Sequence, residues 1–280
     1  LVFRLSEKQS TYSATSEVFL EGSSLRVMDL EVGPDGALYF VTGGAGAEGG
    51  IYRISWKGEV PKAAAELGEG ISEAIRHPQL HSAWGRQGIA RVRNAMGDEW
   101  SSQLAGVSRS VANPAHYRIR ALHVMQLFGP PPPEALLLRL SRDATDLVRA
   151  EAAELMGLSP SEDCQQRLVE LLEDSSGYVR RQACEALLRG VRRVPFDKLV
   201  PLLTSEDRCE AWAARRLLER LPAETWRDKI LTSDEHRLFV QGALALLIAE
   251  GDRQNALAVV KRFSQLIEGF VSDRDFIDML

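Results

Sequence analysis

The sequence is poor in cysteine, and the few cysteines it has form no ligand or redox pattern. Among its 280 residues the cysteines are Cys164, Cys184 and Cys209, and no CxxC, CxxCH or zinc-ligand spacing occurs. The chain therefore has no attachment motif for a c-type haem, and an odd number of separated thiols does not indicate a disulfide framework. Cys184 and Cys209 fall on apolar helix positions, so we expect buried, unreactive thiols there.

A surplus of basic charge and long apolar runs are also missing. The formal net charge is −5, which argues against a nucleic-acid or anionic-membrane partner, because either would need a clustered basic surplus. The longest apolar run, Ala243–Ala249, is far shorter than the roughly 20 residues that span a bilayer. No transmembrane segment is predicted. The chain starts at Leu1 without an initiator Met or a signal peptide, so we expect a fragment or a processed product.

One segment recurs along most of the chain. IRALHV begins at Ile119, VRAEAA at Val148 and VRRQAC at Val179, and two weaker copies begin at Cys209 and Phe239. The spacings between these anchor residues are 29, 31, 30 and 30. A fixed period of this length indicates supersecondary units that stack on one another.

Each copy predicts a pair of helices. The anchor and the residues four and eight positions later, Val179, Ala183 and Leu187 in the third copy, form one apolar stripe of helical period. An Asp stands five residues before the anchor in three copies: Asp143, Asp174 and Asp234. At that position its carboxylate suits the start of a helix, where backbone N–H groups lack partners. A second amphipathic segment, such as Cys164–Leu172, precedes each of these helices.

Two copies resemble HEAT-type repeats in a short variant: LRLSRDATDLVRAEAAELMGL, residues 138–158, and LLEDSSGYVRRQACEALLRG, residues 171–190. The resemblance extends over about residues 112–269 and implies a repeat surface that binds a protein partner or a neighbouring domain. Cys209 and Glu210 replace the Val-Arg pair, and Pro201 interrupts a helix, so the fourth repeat is predicted to be distorted. Three arginines recur at the position after the anchor: Arg120, Arg149 and Arg180. They indicate either a basic binding ladder or, as we favour, structural groups that bridge adjacent helix starts.

The N-terminal part has the period of strands. Val2–Leu5, Glu17–Leu20 and Arg26–Val32 read as strands, and a Gly-Pro-Asp-Gly turn then leads into a hairpin over Ala37–Thr42 and Gly50–Trp56. The glycine-rich loop at 43–50 lacks GxxxxGK[ST] and joins two strands, so it does not predict a phosphate site.

The stretch RVMDLEVGPDGALYFVT, continuing GGIYRISWKG, resembles one blade of the propellers of soluble glucose and sorbosone dehydrogenases. The order of parts resembles membrane-bound dehydrogenase-like proteins of planctomycetes and verrucomicrobia. This resemblance implies a bacterial protein with a partial β-propeller blade at 1–62, a helical bridge at 63–111 and a HEAT-like array at 112–280. It also implies a periplasmic or secreted location, and pyrroloquinoline quinone and calcium as cofactors of the parent protein, none of them held by this chain.

The predicted fold class is thus mostly α, a HEAT-like α-solenoid of about five helix pairs preceded by a small antiparallel sheet. A propeller needs about four to eight blades, so the catalytic residues of such a dehydrogenase would lie outside this chain. The open edges of an isolated blade predict self-association.

No catalytic, cofactor-binding or metal residue is predicted. His77 and His81 have a ligand-like spacing, but Pro78 between them favours a turn, and His116 and His123 read as surface or packing residues. Asp29 could border a propeller channel, whereas Asp35 suits the turn that it occupies. Trp84 and Trp100 read as core residues of the bridge that support the sheet.

Two functions remain after these exclusions. The first is a non-catalytic HEAT-repeat interaction or structural module attached to the end of a propeller domain. The alternative is a fragment of an exported quinoprotein-like sugar dehydrogenase whose catalysis lies elsewhere. Whether the chain is itself an enzyme stays open, and the absence of any Ser-His-Asp or Cys-His arrangement favours a non-catalytic role.

Overall fold

The computed structural model describes residues 1–22, 25–44, 46–60, 62, 66–159, 161–190 and 193–279. The chain divides into two compact units. Unit 1 comprises Leu1–Arg4 and Ala14–Pro133, and unit 2 comprises Leu5–Ser13 and Glu134–Leu280. As predicted, the described residues are mostly helical and small antiparallel sheets precede the helices. The boundaries predicted at 62 and 111 stay predictions.

Two small sheets open the chain. Strands β1, Val2–Lys8, and β2, Thr11–Glu17, form a two-stranded sheet, and β3, Val27–Val32, β4, Leu38–Gly44, and β5, Ala47–Ile54, form a three-stranded antiparallel sheet in that order. The strand predicted at Glu17–Leu20 is wrong, because the second strand ends at Glu17. Its alternating Thr, Tyr and Ser side chains are mostly exposed, so no apolar alternation marked it in the sequence.

The predicted Gly-Pro-Asp-Gly turn joins β3 to β4. Gly36 has φ 73°, a left-handed conformation that glycine adopts at little steric cost. The Gly36 N–H donates to the Gly33 carbonyl at 3.0 Å, and Asp35 Oδ1 accepts the N–H of Ala37 at 3.2 Å. The turn chemistry therefore fixes the register of the hairpin, in which Val32 faces Leu38.

Among its described residues, unit 1 also contains these helices: α1, Ile71–Arg76; α2, Ala83–Met96; α3, Glu99–Arg109; and α4, Ala115–Phe128. Ser82 Oγ accepts the N–H of Gly85 at 3.0 Å and so starts α2. The indole N–H of Trp84 donates to the carbonyl of Val32 at 3.0 Å, which ties the end of β3 to α2 as the sequence predicted. Trp100 is fully buried and donates instead to the Gly129 carbonyl at 2.9 Å.

Unit 2 is a series of helix pairs. Its helices are α5, Glu134–Leu140; α6, Asp146–Met156; α7, Glu162–Leu171; α8, Gly177–Leu187; α9, Phe196–Leu203; α10, Arg208–Leu218; α11, Arg227–Leu231; α12, His236–Ala249; α13, Arg253–Leu266; and α14, Asp273–Met279. Pro201 lies inside α9, which continues to Leu203, so the predicted interruption there is wrong. The irregular pair is the next one, where a 3-10 turn at Ala223–Thr225 precedes the five-residue α11.

A buried alanine recurs on the second helices of four pairs. The residue four positions after each of the last four anchors is Ala152, Ala183, Ala213 and Ala243, and all four are buried. The anchors Val148, Val179 and Phe239 are buried too, whereas Ile119 and Cys209 are only partly covered. Close approach is direct where α6 ends: a Cβ added to Gly157 would lie 2.8 Å from the Cα of Ala186 on α8. Small side chains therefore set the distance between neighbouring pairs.

We predict that Val179→Asp unfolds the central repeats. The substitution places a carboxylate at a site with no exposure, at a cost of about 3 kcal/mol or more. Arg181→Ala is the matched control two residues away. It removes a partly exposed ion pair with Glu185 and a cation–π contact with the Tyr178 ring, each worth up to about 1 kcal/mol. Urea unfolding followed by circular dichroism compares the two variants. Equal losses in the free energy of unfolding would refute the assignment of Val179 to the buried face of α8.

Candidate interaction surface

The candidate metal histidines are used structurally. His77 is buried, its Nδ1 accepts the N–H of Gln79 at 3.3 Å, and its ring packs 4.6 Å from that of Trp84. Burial, and after it the nearby Arg120 guanidinium, lowers the pKa of His77. His81 is exposed. Within the described ranges no group of three or more His, Cys, Asp or Glu residues is placed to hold a metal.

The candidate aspartates also serve local structure. Asp35 pairs with Arg53 at 2.7 Å and accepts a hydrogen bond from the Tyr39 hydroxyl at 3.0 Å. Hydrogen bonding to Arg53 lowers the pKa of Asp35 to about 2. Asp29 Oδ1 accepts the N–H of Leu30 at 2.8 Å on an exposed strand. The turn explanation for Asp35 therefore holds.

The three cysteines differ in burial. Cys164 and Cys184 are fully buried, and burial raises the pKa of both thiols. A raised pKa keeps a thiol protonated and unreactive, as expected for Cys184. Cys209 is only partly buried, so the prediction of full burial is wrong for this residue.

The recurring arginines bridge helix starts. Arg149 donates from Nε and Nη2 to the two carboxylate oxygens of Asp174, at 2.8 and 2.7 Å, and from Nη1 to the Asp143 carbonyl at 2.9 Å. This bidentate pair is almost buried, with side-chain exposures of 13% and 10%. Such geometry is the strong form of a charged hydrogen bond. Arg180 repeats the local part, donating to the Asp174 carbonyl at 2.8 Å. The structural explanation is confirmed for Arg149 and Arg180, whereas Arg120 donates to the carbonyl of His77.

The fourth repeat completes the same bridge with different residues. Counting 25 positions from Arg149 gives Asp174, whereas counting 25 from Arg180 gives Ser205. The missing carboxylate comes from Glu210, which occupies the place of the next arginine. Arg180 Nε donates to Glu210 Oε1, and Ser205 Oγ donates to Glu210 Oε2 at 2.5 Å. Glu210 therefore compensates for the aspartate that Ser205 replaces, and Arg180 keeps a carboxylate partner.

We predict that Glu210→Ala lowers the free energy of unfolding by about 1 to 3 kcal/mol, because it leaves the Arg180 guanidinium without its carboxylate in a site that is only partly open to water. Adding Ser205→Asp should recover at least half of that loss, since it restores the acid found at Asp174. Ser205→Asn in the same background is the matched control and should recover less. Urea unfolding measures all four proteins, and equal recovery by Asn would contradict the exchange.

An apolar face remains exposed near the C-terminal end of unit 2. Five large aliphatic side chains on α12 and α13 are at least 37% exposed: Leu244, Leu247, Ile248, Leu257 and Val260. Three of them occupy positions that have equivalents on α10. The residues 30 positions before Leu244, Leu247 and Ile248 are Ala214, Leu217 and Leu218. Those three are fully buried. We call the five exposed side chains the α12–α13 face.

The exposure of α12 goes with the short length of α14. α12 has 14 residues, whereas α14, which contacts it, has seven. The equivalent earlier helix, α10, is followed by the longer α12 and contacts it. The α12–α13 face is thus the position where a repeat is normally covered by further helical structure. Sequence reasoning missed it because FVQGALALL reads the same whether or not something covers it.

A second apolar surface lies in unit 1. A cleft of about 440 Å³ is lined by twelve residues, among them Leu1, Phe19, Leu25, Leu30, Phe40 and Ile54. On the edge strands, Met28 and Ile51 are 68% and 79% exposed. No helix among the described residues has the length and hydropathy of a membrane span.

Comparison with known proteins identifies the repeats. A family model for HEAT repeats matches residues 133–219. A search of curated proteins found no match. One solved structure, described as an engineered protein, is 17% identical and covers 76% of this chain and 96% of its own, with a TM-score of 0.35, which carries no argument about fold or function. The helix pairs over 133–219 are HEAT-like repeats, a repeat type of interaction and structural modules.

Proposed function

We propose that the chain is a non-catalytic HEAT-repeat module that binds a protein partner through the α12–α13 face. The observation that carries this proposal is the repeat equivalence of Leu244, Leu247 and Ile248 with three fully buried residues of α10. α10, which carries the three buried residues, contacts α12 of the following pair. The partner that fits is therefore a protein that presents an amphipathic helix or helix pair.

The physical balance favours association at this face. Exposed apolar side chains that group on a surface mark interaction sites, and these five aliphatic side chains are at least 37% exposed. Burying such side chains contributes roughly 25 cal/mol per Å² of apolar area. Residues at spacings of three and four on α12 are also the anchors that helix-in-groove recognition uses.

From the sequence resemblance alone, we further propose that the module is attached to the end of a propeller domain in a periplasmic or secreted bacterial protein. The alternative, a fragment of a quinoprotein-like sugar dehydrogenase, would make pyrroloquinoline quinone and calcium relevant to the parent protein. Calorimetric titration of both cofactors into the parent protein, expressed from the source gene, separates the two functions. Saturable binding would favour the dehydrogenase, and no binding would favour the non-catalytic module.

We predict that a photo-crosslinker placed at Leu247 captures a discrete partner in extracts of the source cell. A crosslinker at Arg189, an exposed residue just after α8, is the matched control and should not capture it. With the captured protein purified, Leu247→Lys should weaken its binding at least tenfold, because the substitution puts a charge into an apolar contact. Undiminished affinity in that variant would contradict the assigned face.

We also propose self-association through the sheet of unit 1. β3 and β5 are the edges of the three-stranded sheet among the described residues, and their exposed Met28 and Ile51 offer apolar contacts beside unpaired backbone groups. Sedimentation velocity should show a concentration-dependent dimer. Met28→Lys together with Ile51→Lys should abolish it, because edge lysines oppose strand pairing. A strictly monomeric wild-type chain would refute the proposal.

A further inference from the structure

The turn of the first hairpin is bound within unit 2. Gln9 and Ser10 connect β1 to β2, and the segment Leu5–Ser13 belongs to unit 2 although the bases of both strands belong to unit 1. Ser10 is completely buried. Its N–H donates to Asp207 Oδ2 at 2.6 Å, across 197 positions of sequence. A turn tip is normally the most exposed part of a hairpin. This turn is instead buried against helices of unit 2 and held there by a hydrogen bond.

Asp207 is organised to accept that N–H. Its other carboxylate oxygen, Oδ1, caps α10 by accepting the N–H groups of Cys209 at 2.8 Å and Glu210 at 3.3 Å. Burial opposes the charged form most strongly, yet hydrogen bonding to Ser10 and to these backbone groups outweighs it and lowers the pKa of Asp207. The residue is 7% exposed. A carboxylate that is fixed and ionised in this way accepts a hydrogen bond well.

The site also has a shape. A Cβ added to Gly177, the first residue of α8, would lie 3.6 Å from Ser10 Cβ and 3.8 Å from Ser10 N. The residue at the second corner of the turn therefore has room for a small side chain only. Two residues later, the ring of Tyr12 meets that of Tyr178 edge to face, with centroids 6.2 Å apart.

The start of α6 closes the site on a third side. Asp146 and Leu147 border a gap of only about 30 Å³ that Gln9 and Tyr12 also line. Five residues from these contacts surround the turn, and we call them the turn-binding ridge: Asp146, Leu147, Gly177, Tyr178 and Asp207. They come from the starts of α6, α8 and α10, so one turn contacts three successive repeats.

We infer that the turn-binding ridge is a recognition site for β-turns, occupied in this chain by its own Gln9–Ser10 turn. The recognised features are a free N–H and a small residue at the second corner, and an aromatic residue two positions later. Gln9 adds a constraint, because its φ of 52° is left-handed and uncommon outside glycine. The inference rests on the hairpin contacts and does not depend on the α12–α13 face.

Ser10→Leu in the full chain tests this directly. The larger side chain has no room beside Gly177, so the chain's own turn leaves while every ridge residue is unchanged. The probe is a labelled peptide of residues 3–18, closed by a disulfide between two added terminal cysteines. It should bind the Ser10→Leu chain saturably. Binding to the wild-type chain should be at least tenfold weaker, because the tethered turn competes at an effective concentration of about millimolar.

The same peptide carrying Ser10→Leu is the matched control and should bind the variant chain at least tenfold more weakly than the wild-type peptide does. Equal binding of the two peptides, equal binding to the two chains, or no binding to the variant chain would each overturn the inference.

Hydrogen exchange at the Ser10 amide gives a second readout that needs no peptide. Gly177→Ala places its Cβ at ordinary contact distance and should leave this amide slow. Gly177→Leu should make it exchange at least tenfold faster, while α8 stays protected. Slow exchange in both variants would show that the ridge does not hold the turn in the proposed way.

Discussion

Small buried side chains on the second helices decide how closely the repeats of unit 2 pack. Ala152, Ala183, Ala213 and Ala243 stand at one repeat position, all buried, and a Cβ added to Gly157 would lie 2.8 Å from the Cα of Ala186. Interiors are packed too densely to absorb such a change without loss of contact energy. Once this distance is fixed, the arginine at the helix start can reach the carboxylate of the next repeat. The bridges are therefore a consequence of the packing.

The arginine bridges tolerate a change of residue because they need a carboxylate, which more than one position can supply. Arg180 needs a carboxylate within reach of its guanidinium, and Glu210 supplies one where Ser205 cannot. Burying a charge without a partner costs several kcal/mol, on the order of 3 to 5, so a lost aspartate must be replaced from another position. The same logic applies to Asp207, which caps α10 with one oxygen and accepts the hairpin turn with the other.

Which features the sequence could predict depends on how far apart along the chain the interacting residues lie. The repeat period, the alanine position and the turn at Asp35 are written in local patterns, and these predictions are confirmed. The bridging role of Arg149 was predictable because its partner recurs at the same period. The contact of Ser10 with Asp207 was not, since no pattern links residues 197 positions apart. The second strand, Thr11–Glu17, lacked an apolar face, and the exchange at Glu210 appeared only as a departure from the repeat.

We propose that the chain works by binding a protein, through a face that the repeat pattern leaves uncovered. Hydrogen exchange of the full chain, measured alone and with the partner captured at Leu247, tests this proposal. We expect slower exchange in the C-terminal half of α12 and in α13, over residues 244–260, with α6 and α8 unchanged. Protection confined to unit 1, with the exchange of α12 and α13 unaffected, would contradict it.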